Sequence, residues 1–246
     1  HPGRLTRHRT LRATRRAGAW CRVLGVPGIL GDVMSRPLVR TFQPRRRKLS
    51  PTRERLMAEH APQWVLDTHG PPLELAAPTV LEIGIGRGEA LLAMAAADPD
   101  VDVIGVDVHT PGIAAVIAGG VPVGLTNIRL VHGDVLEFVD RLAPAALAGI
   151  RIFFPDPWPK ASKRHKRIVV PDNVARFVEL LVPGGYLHLA TDIADYAEQM
   201  EQVCGAHPDL TGGPIERPVW RPETRYERKG LDAGRQVTDL WYVRAT

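Results

Sequence analysis

Four carboxylates stand where this sequence could do chemistry. Glu82 opens the run Glu82-Ile83-Gly84-Ile85-Gly86-Arg87-Gly88, between apolar residues 79–83 and an Ala/Leu/Met-rich stretch, 89–97. Glycines at a strand-to-helix turn let the backbone approach a ligand closely and present N–H groups from a helix start. The spacing is not G-x-G-x-x-G, because position 89 is Glu89, so a pyrophosphate is not the expected ligand. Asp107 ends a second apolar run and can accept both hydroxyls of a ribose. Asp134, in His132-Gly133-Asp134, ends a third and can accept from an exocyclic amine. Taken singly, Asp107 and Asp134 read equally well as helix N-caps, and the glycines as a bare turn. Acids at the ends of three successive strands fit the place where open α/β sheets bind ligands.

The fourth carboxylate is Asp156, in Phe153-Phe154-Pro155-Asp156-Pro157-Trp158-Pro159-Lys160. Two flanking prolines make it rigid, which suits the positioning of a reacting group. Trp158 offers a face for stacking a base. The next residues, Ala161-Ser162-Lys163-Arg164-His165-Lys166-Arg167, contain no acid and can grip phosphates. The plain alternative is a Pro-rich loop with a solvated run of charge.

Short apolar strands alternating with helical patterns must hold these groups. Strands are expected at Thr79–Ile83, Val103–Asp107, Asn127–His132, Ile150–Phe154, Tyr186–Thr191 and, late, Val237–Val243. Helices are expected from Ser50-Pro51 to about Asp67, at Glu89–Ala97, at Ile113–Ile117, from about Val135, and at Pro171–Leu181. Ile193, Tyr196, Ala197, Met200, Val203 and Cys204 form one further apolar helical face, which makes Cys204 a core residue. This alternation predicts a Rossmann-like, doubly wound α/β sheet, mostly parallel with an antiparallel late strand. There is no internal repeat.

Composition narrows the function. At 44% hydrophobic and 24% charged residues over 246, the chain is an ordinary globular one. Two cysteines, Cys21 and Cys204, exclude a disulfide scaffold and offer no zinc spacing. The longest uncharged stretch, Thr110–Ile128, carries Pro111, Pro122 and four glycines and does not read as a membrane span. The net charge of +5 is unevenly placed: residues 1–33 hold seven arginines and one acid, for +6, and the remainder 25 basic against 26 acidic side chains, for −1. Nucleic-acid binding must therefore come from local clusters. Residues 1–33 are expected to be a non-native or disordered basic extension, with a targeting peptide as the competing reading. Residues 34–72 then form a basic segment and a helix, and 73–246 the main domain.

The glycine spacing E-x-G-x-G-x-G resembles the first motif of class I S-adenosylmethionine-dependent methyltransferases. Pro-Asp-Pro-Trp followed by a basic cluster resembles the signature of the bacterial tRNA (guanine-N7-)-methyltransferases. Leu81–Ala95 (LEIGIGRGEALLAMA), Gly105–Ala114 (GVDVHTPGIA), Leu189–Asp192 (LATD), Thr224–Gly230 (TRYERKG) and the basic lead-in Arg45–Ser50 are similar to the same family. The resemblance covers about residues 40–244. Asp107 stands where the family often has Glu, and the basic loop departs from the family's adjacent histidines. Residues 1–33 match nothing in the family.

The resemblance implies methyl transfer from S-adenosylmethionine to N7 of guanine 46 in the variable loop of tRNA, without a metal, in the cytoplasm. It implies donor binding by Glu82, Gly84, Gly86, Gly88, Asp107 and Asp134, and catalysis by Asp156. Lys160 would contact RNA or the guanine, and Asp192, Thr224, Arg225, Tyr226 and Glu227 would close the guanine pocket. Lys163, Arg164, Lys166 and Arg167, with Arg45, Arg46, Arg47 and Lys48, would grip RNA. Tracts 225–229 and Asp192 retain plainer readings, a surface strand and a helix cap. No membrane or protein partner is expected. Two alternatives compete: methylation of an exocyclic amine, disfavoured because the order is P-D-P-W and not [DN]-P-P-[YFW], and a non-catalytic RNA-binding protein or methyltransferase-fold partner, which would have a defective donor site.

Overall fold

A computed structural model of the chain describes residues 39–42 and 48–246. The readings on residues 1–33 and on Arg45–Arg47 lie outside the described residues.

Helix α1 (Pro51–Trp64) starts where expected, with Ser50 accepting a hydrogen bond from the Arg53 amide at 3.4 Å. It stops three residues before the expected Asp67. Val65 and Leu66 turn extended as strand β1 (Val65–Leu66) and pair in parallel with Leu130 and Val131. The alternating units follow in order: β2 (Thr79–Ile83), α2 (Glu89–Ala97), β3 (Asp102–Asp107), α3 (Thr110–Gly120), β4 (Ile128–His132), α4 (Val135–Phe138) and β5 (Leu147–Phe153). A 3₁₀ segment (Ala161–Lys166) precedes α5 (Pro171–Leu180), β6 (Leu181–Thr191), α6 (Ala194–Gly205), β7 (Leu210–Ile215), α7 (Arg225–Asp232) and β8 (Thr238–Arg244).

The strands form one sheet of order β1-β4-β3-β2-β5-β6-β8-β7. Only β8 runs antiparallel to its neighbours, β6 and β7. The sheet is thus the expected doubly wound kind with one antiparallel late strand. Strand alternation assigns the two faces. Leu81, Ile83, Ile104, Val106, Ile150, Ile152, Leu187 and Leu189 pack with Val174, Phe177, Tyr196, Met200 and Cys204 of α5 and α6. Val103 and Leu130 pack on the other face with Trp64, Leu91, Ile113 and Ile117 of α1, α2 and α3. Cys204 is a buried core residue.

Beyond the earlier end of α1 and the added strand β1, β6 begins at Leu181 and not Tyr186, and two later elements differ from the sequence reading. Strand β7 was not expected: Gly212, Gly213 and Pro214 break any apolar pattern, yet at the sheet edge, paired with Tyr242, Trp241 and Leu240 of β8, they are tolerated. Residues 225–232 form helix α7, not a surface strand, with Thr224 as N-cap.

Candidate active site

The topological switch lies between β2 and β5, where the chain order reverses, and ligands of doubly wound sheets bind at that crevice. A cleft open to solvent lies there. Its floor and walls include Gly84, Gly86, Asp107, Asp134, Asp156 and Tyr226. Six residues chosen from sequence therefore meet in one cavity.

The turn after β2 is built from glycines in the left-handed region: Gly84 at φ 78°, Gly86 at 58° and Gly88 at 76°. At Gly86 a Cβ would come within 3.2 Å of the Tyr226 ring, and at Gly88 within 2.1 Å of Val116 Cγ2. Gly86 thus lets the turn sit under Tyr226, whereas Gly88 packs α2 onto α3 and does not line the cleft. Asp107 fixes the turn: its Oδ2 accepts from the Gly86 amide at 2.9 Å and its Oδ1 from the His109 amide at 2.8 Å. These are backbone partners, and a carboxylate retains further lone pairs for a ligand's hydroxyls. Burial raises the Asp107 carboxyl above its ordinary value, against the lowering by those amides. Asp134 caps α4, accepting from the Leu136 amide at 3.0 Å, and still lines the cleft; burial raises it too.

Asp156 sits on a strained, tightly held loop. Phe154 and Trp158, on either side of it, are non-glycine residues at φ 51° and 43°. The Phe154 amide bonds the Ala190 carbonyl at 2.8 Å, Arg167 Nε donates to the Pro157 carbonyl at 2.8 Å, and Trp158 Nε1 donates to the Thr41 carbonyl at 2.9 Å. Such over-determined backbone fixes a half-buried carboxylate at the cleft wall.

Several sequence assignments take other places. Arg167 is fully buried: it holds Asp195 Oδ2 at 2.6 Å and Gln199 Oε1 at 2.8 Å and lies over the Tyr196 ring. It clamps the Asp156 loop onto α6 and cannot reach a phosphate. Trp158 is 8% exposed, with Lys166 over its ring, and is no platform for a base. Arg164 pairs with Asp195 at 2.9 Å, while Lys163 is exposed and Lys166 half-buried. Lys160 and Lys48 are exposed outside the cleft. Glu82 lies beneath the floor, 3% exposed. Asp192 is neither in the cleft nor a cap: it pairs with Arg235 at 2.7 Å under Gly230. Thr224 caps α7 through the Glu227 amide at 3.2 Å. Arg225 is exposed, and its amide donates to Glu89 Oε2 at 2.7 Å. The residue that replaces a third glycine thus ties α7 to the start of α2. Glu227 points inward, 1% exposed, to Arg221 and Arg217.

Sequence reasoning missed Thr41, Phe42, His109 and Phe154, which also line the cleft. It missed Arg221 as well, which is fully buried between Glu227 and Asp239. Asp239 in turn meets His188 Nε2 at 2.9 Å. An Asp within the apolar run 238–243 was the one available signal for this cluster.

The residues 76–240 match a family model described as "Putative methyltransferase". A tRNA (guanine-N(7)-)-methyltransferase of Streptomyces avermitilis is 43% identical over 84% of this chain and 75% of its own length. The enzyme of that name from Haemophilus influenzae is 41% identical over 84% of this chain and 89% of its own. That from Mycobacterium avium is 44% identical over 72% and 73%. With its Gly-rich turn, strand-end acids and Pro-Asp-Pro-Trp loop aligned on one cleft, the chain belongs to the tRNA (guanine-N7-)-methyltransferase family.

Proposed function

We propose that this chain transfers the methyl group of S-adenosylmethionine to N7 of a guanine in tRNA, at position 46 of the variable loop. The observation that carries the reading is the convergence of Asp107, Asp134 and Asp156 with the Gly84–Gly86 turn on one cleft at the sheet's switch point. The residues present fit the donor. Asp107 would accept the ribose hydroxyls, Asp134 the adenine amine, and the close approach at Gly86 admits a ligand beside Tyr226. Burial that raises Asp107 and Asp134 marks groups held in costly surroundings, as ligand-binding carboxylates are.

The donor supplies, when bound, a methyl on a positive sulfonium. The remaining work belongs to the chain. Guanine N7 carries an in-plane lone pair, so no proton leaves before attack and no strong base is needed. The N7 pair forms the new bond to carbon, the old carbon–sulfur pair stays on sulfur, and the positive charge passes to the base. Asp156 holds the guanine edge in line and offsets the charge that arrives there. Tyr226 closes the cleft over the turn, and Lys160 lies outside as an RNA contact. Phosphates are gripped by Lys163 and Lys166, with Arg45–Lys48 as the second basic cluster. Arg164 serves less, being paired with Asp195. Acting on tRNA places the activity in the cytoplasm.

The test is labelled methyl transfer to bulk tRNA lacking 7-methylguanosine, with the modified atom mapped by mass spectrometry of digests. The expected product is 7-methylguanosine at position 46. A methylated exocyclic amine, or failure of the chain to bind the donor, overturns the reading.

A further inference from the structure

Three buried polar atoms without a hydrogen-bond partner lie in one row across the sheet: Glu82 Oε2 on β2, Arg151 Nη1 on β5 and His188 Nδ1 on β6. The register pairs Glu82 with Arg151 and Arg151 with His188, so all three side chains leave the same face. Arg151 is fixed there by Tyr186, whose Oη accepts from Nε at 3.0 Å. The Tyr186 ring is itself stacked on Trp241, centroids 4.4 Å apart. It fits because Gly149 has no side chain: a Cβ there would lie 2.3 Å from Tyr186 Cζ. Gly149, Tyr186 and Trp241 thus hold a guanidinium on the sheet face that it shares with Glu82, close enough for its charge to act on that carboxyl, two residues below the Gly84 turn. A buried carboxylate oxygen and a buried guanidinium nitrogen on neighbouring strands, each without a hydrogen-bond partner, are costly and call for a use.

We propose that Arg151 is a positioning residue for donor binding and acts through Glu82. The inference rests on the reading of the cleft as a donor site, where Glu82 attracts the donor's ammonium. Burial pushes the Glu82 carboxyl up to about 7, and the Arg151 charge pulls against that rise. A neutral Glu82 exerts no pull on a cation, so the guanidinium keeps part of the population charged at neutral pH. The other groups facing this row do not replace it. The Tyr186 phenol is raised by burial and stays neutral; Asp98 acts on Tyr186. His188 is held neutral by burial, and beyond it Asp239 and Arg221 pair with each other. Asp107 and Asp134, in the cleft, are common to wild type and variant.

The experiment is calorimetric titration of the full chain with S-adenosylmethionine across the range from about pH 6 to about pH 9. Arg151→Gln is expected to bind roughly 10-fold more weakly near neutral pH and to recover toward wild-type affinity at the alkaline end. Arg151→Lys, which keeps the charge, should follow the wild-type profile. Glu82→Gln should bind weakly at every pH, and adding Arg151→Gln to it should cost nothing more. An Arg151→Gln loss that is uniform across pH, or no loss at all, overturns the proposal. If Arg151→Gln does not fold, Arg151→Lys decides: a uniform loss there has the same meaning. Failure of the wild-type chain to bind the donor is a separate outcome, which overturns the donor reading itself.

Discussion

The buried carboxylates on the two halves of the sheet are treated in opposite ways. On the half proposed to hold the donor, Glu82, Asp107 and Asp134 sit at or below the ends of β2, β3 and the start of α4, and burial raises all three above their ordinary values. Their partners are backbone amides or, for Glu82 Oε2, none. On the far half, burial also opposes ionisation of Asp239, but hydrogen bonds from His188 and Arg221 outweigh it and leave the carboxyl lowered. Glu227 there is held bidentately by Arg221 at 2.7 and 2.9 Å. Saturated carboxylates hold α7 to β8; of the unsaturated ones, Asp107 and Asp134 line the cleft proposed to hold the donor. Residue type and burial alone thus do not separate the acids proposed for binding from the structural ones, whereas the identity of their partners does.

The comparison can be broken most forcefully at Arg221. Arg221→Met leaves Glu227 and Asp239 buried without their main cation, so unfolding in urea should show a loss of about 3–5 kcal/mol. A loss under about 1 kcal/mol would mean the far half is not held by this cluster.

Glu82 should behave with the opposite sign. Its folded value, about 7, lies above the ordinary 4.5, so the folded state keeps a proton that the unfolded chain releases between those limits. Wild-type stability from this group therefore falls as pH rises from about 4.5 to about 7 and is flat above. Glu82→Gln removes that fall. Relative to wild type, the variant should gain stability over the same window, by on the order of 3 kcal/mol in chemical unfolding. A constant offset at all pH values would contradict the assignment.

Asp107→Ala should weaken S-adenosylmethionine binding by roughly 1.5–3 kcal/mol, the range for hydrogen bonds to a charged group, and leave tRNA affinity nearly unchanged. Unaltered donor affinity in calorimetry would reduce Asp107 to a brace for the Gly86 turn.

The smallest effect is expected at the basic loop. With Arg167 buried and Arg164 paired, Lys163→Ala with Lys166→Ala should make log K for tRNA less steep against log salt, by up to about 0.9 for each phosphate no longer neutralised. An unchanged slope would move the phosphate grip to Lys48 and its neighbours.

What the sequence revealed follows from range. The β2–turn–α2 unit, the strands ending at Asp107 and His132, and the Pro-Asp-Pro-Trp loop announce themselves through local spacing and chirality. Asp107, Asp134 and Asp156 meet in one cleft, while Glu82 is not among its lining residues. What it concealed depends on distant partners. Arg167 stands in a basic run and looks solvated, yet Pro157, Asp195 and Gln199 draw it inside. Trp158 looks like a stacking platform, but the Thr41 carbonyl and Lys166 occupy it. Glu227 lies in a motif that suggests substrate contact, yet Arg221, six residues earlier, turns it inward. Strand β7 hides behind glycines and a proline that only an edge position allows.

The central claim is that the Pro-Asp-Pro-Trp loop presents Asp156 to the base that is methylated. The most direct measurement is single-turnover methyl transfer to tRNA by Asp156→Asn, with donor affinity, tRNA affinity and thermal unfolding followed on the same sample. The account expects transfer to slow by about 10²-fold or more, as for loss of one group that stabilises developing charge, while both affinities and the unfolding midpoint hold. Near-normal transfer by a folded Asp156→Asn enzyme would contradict it.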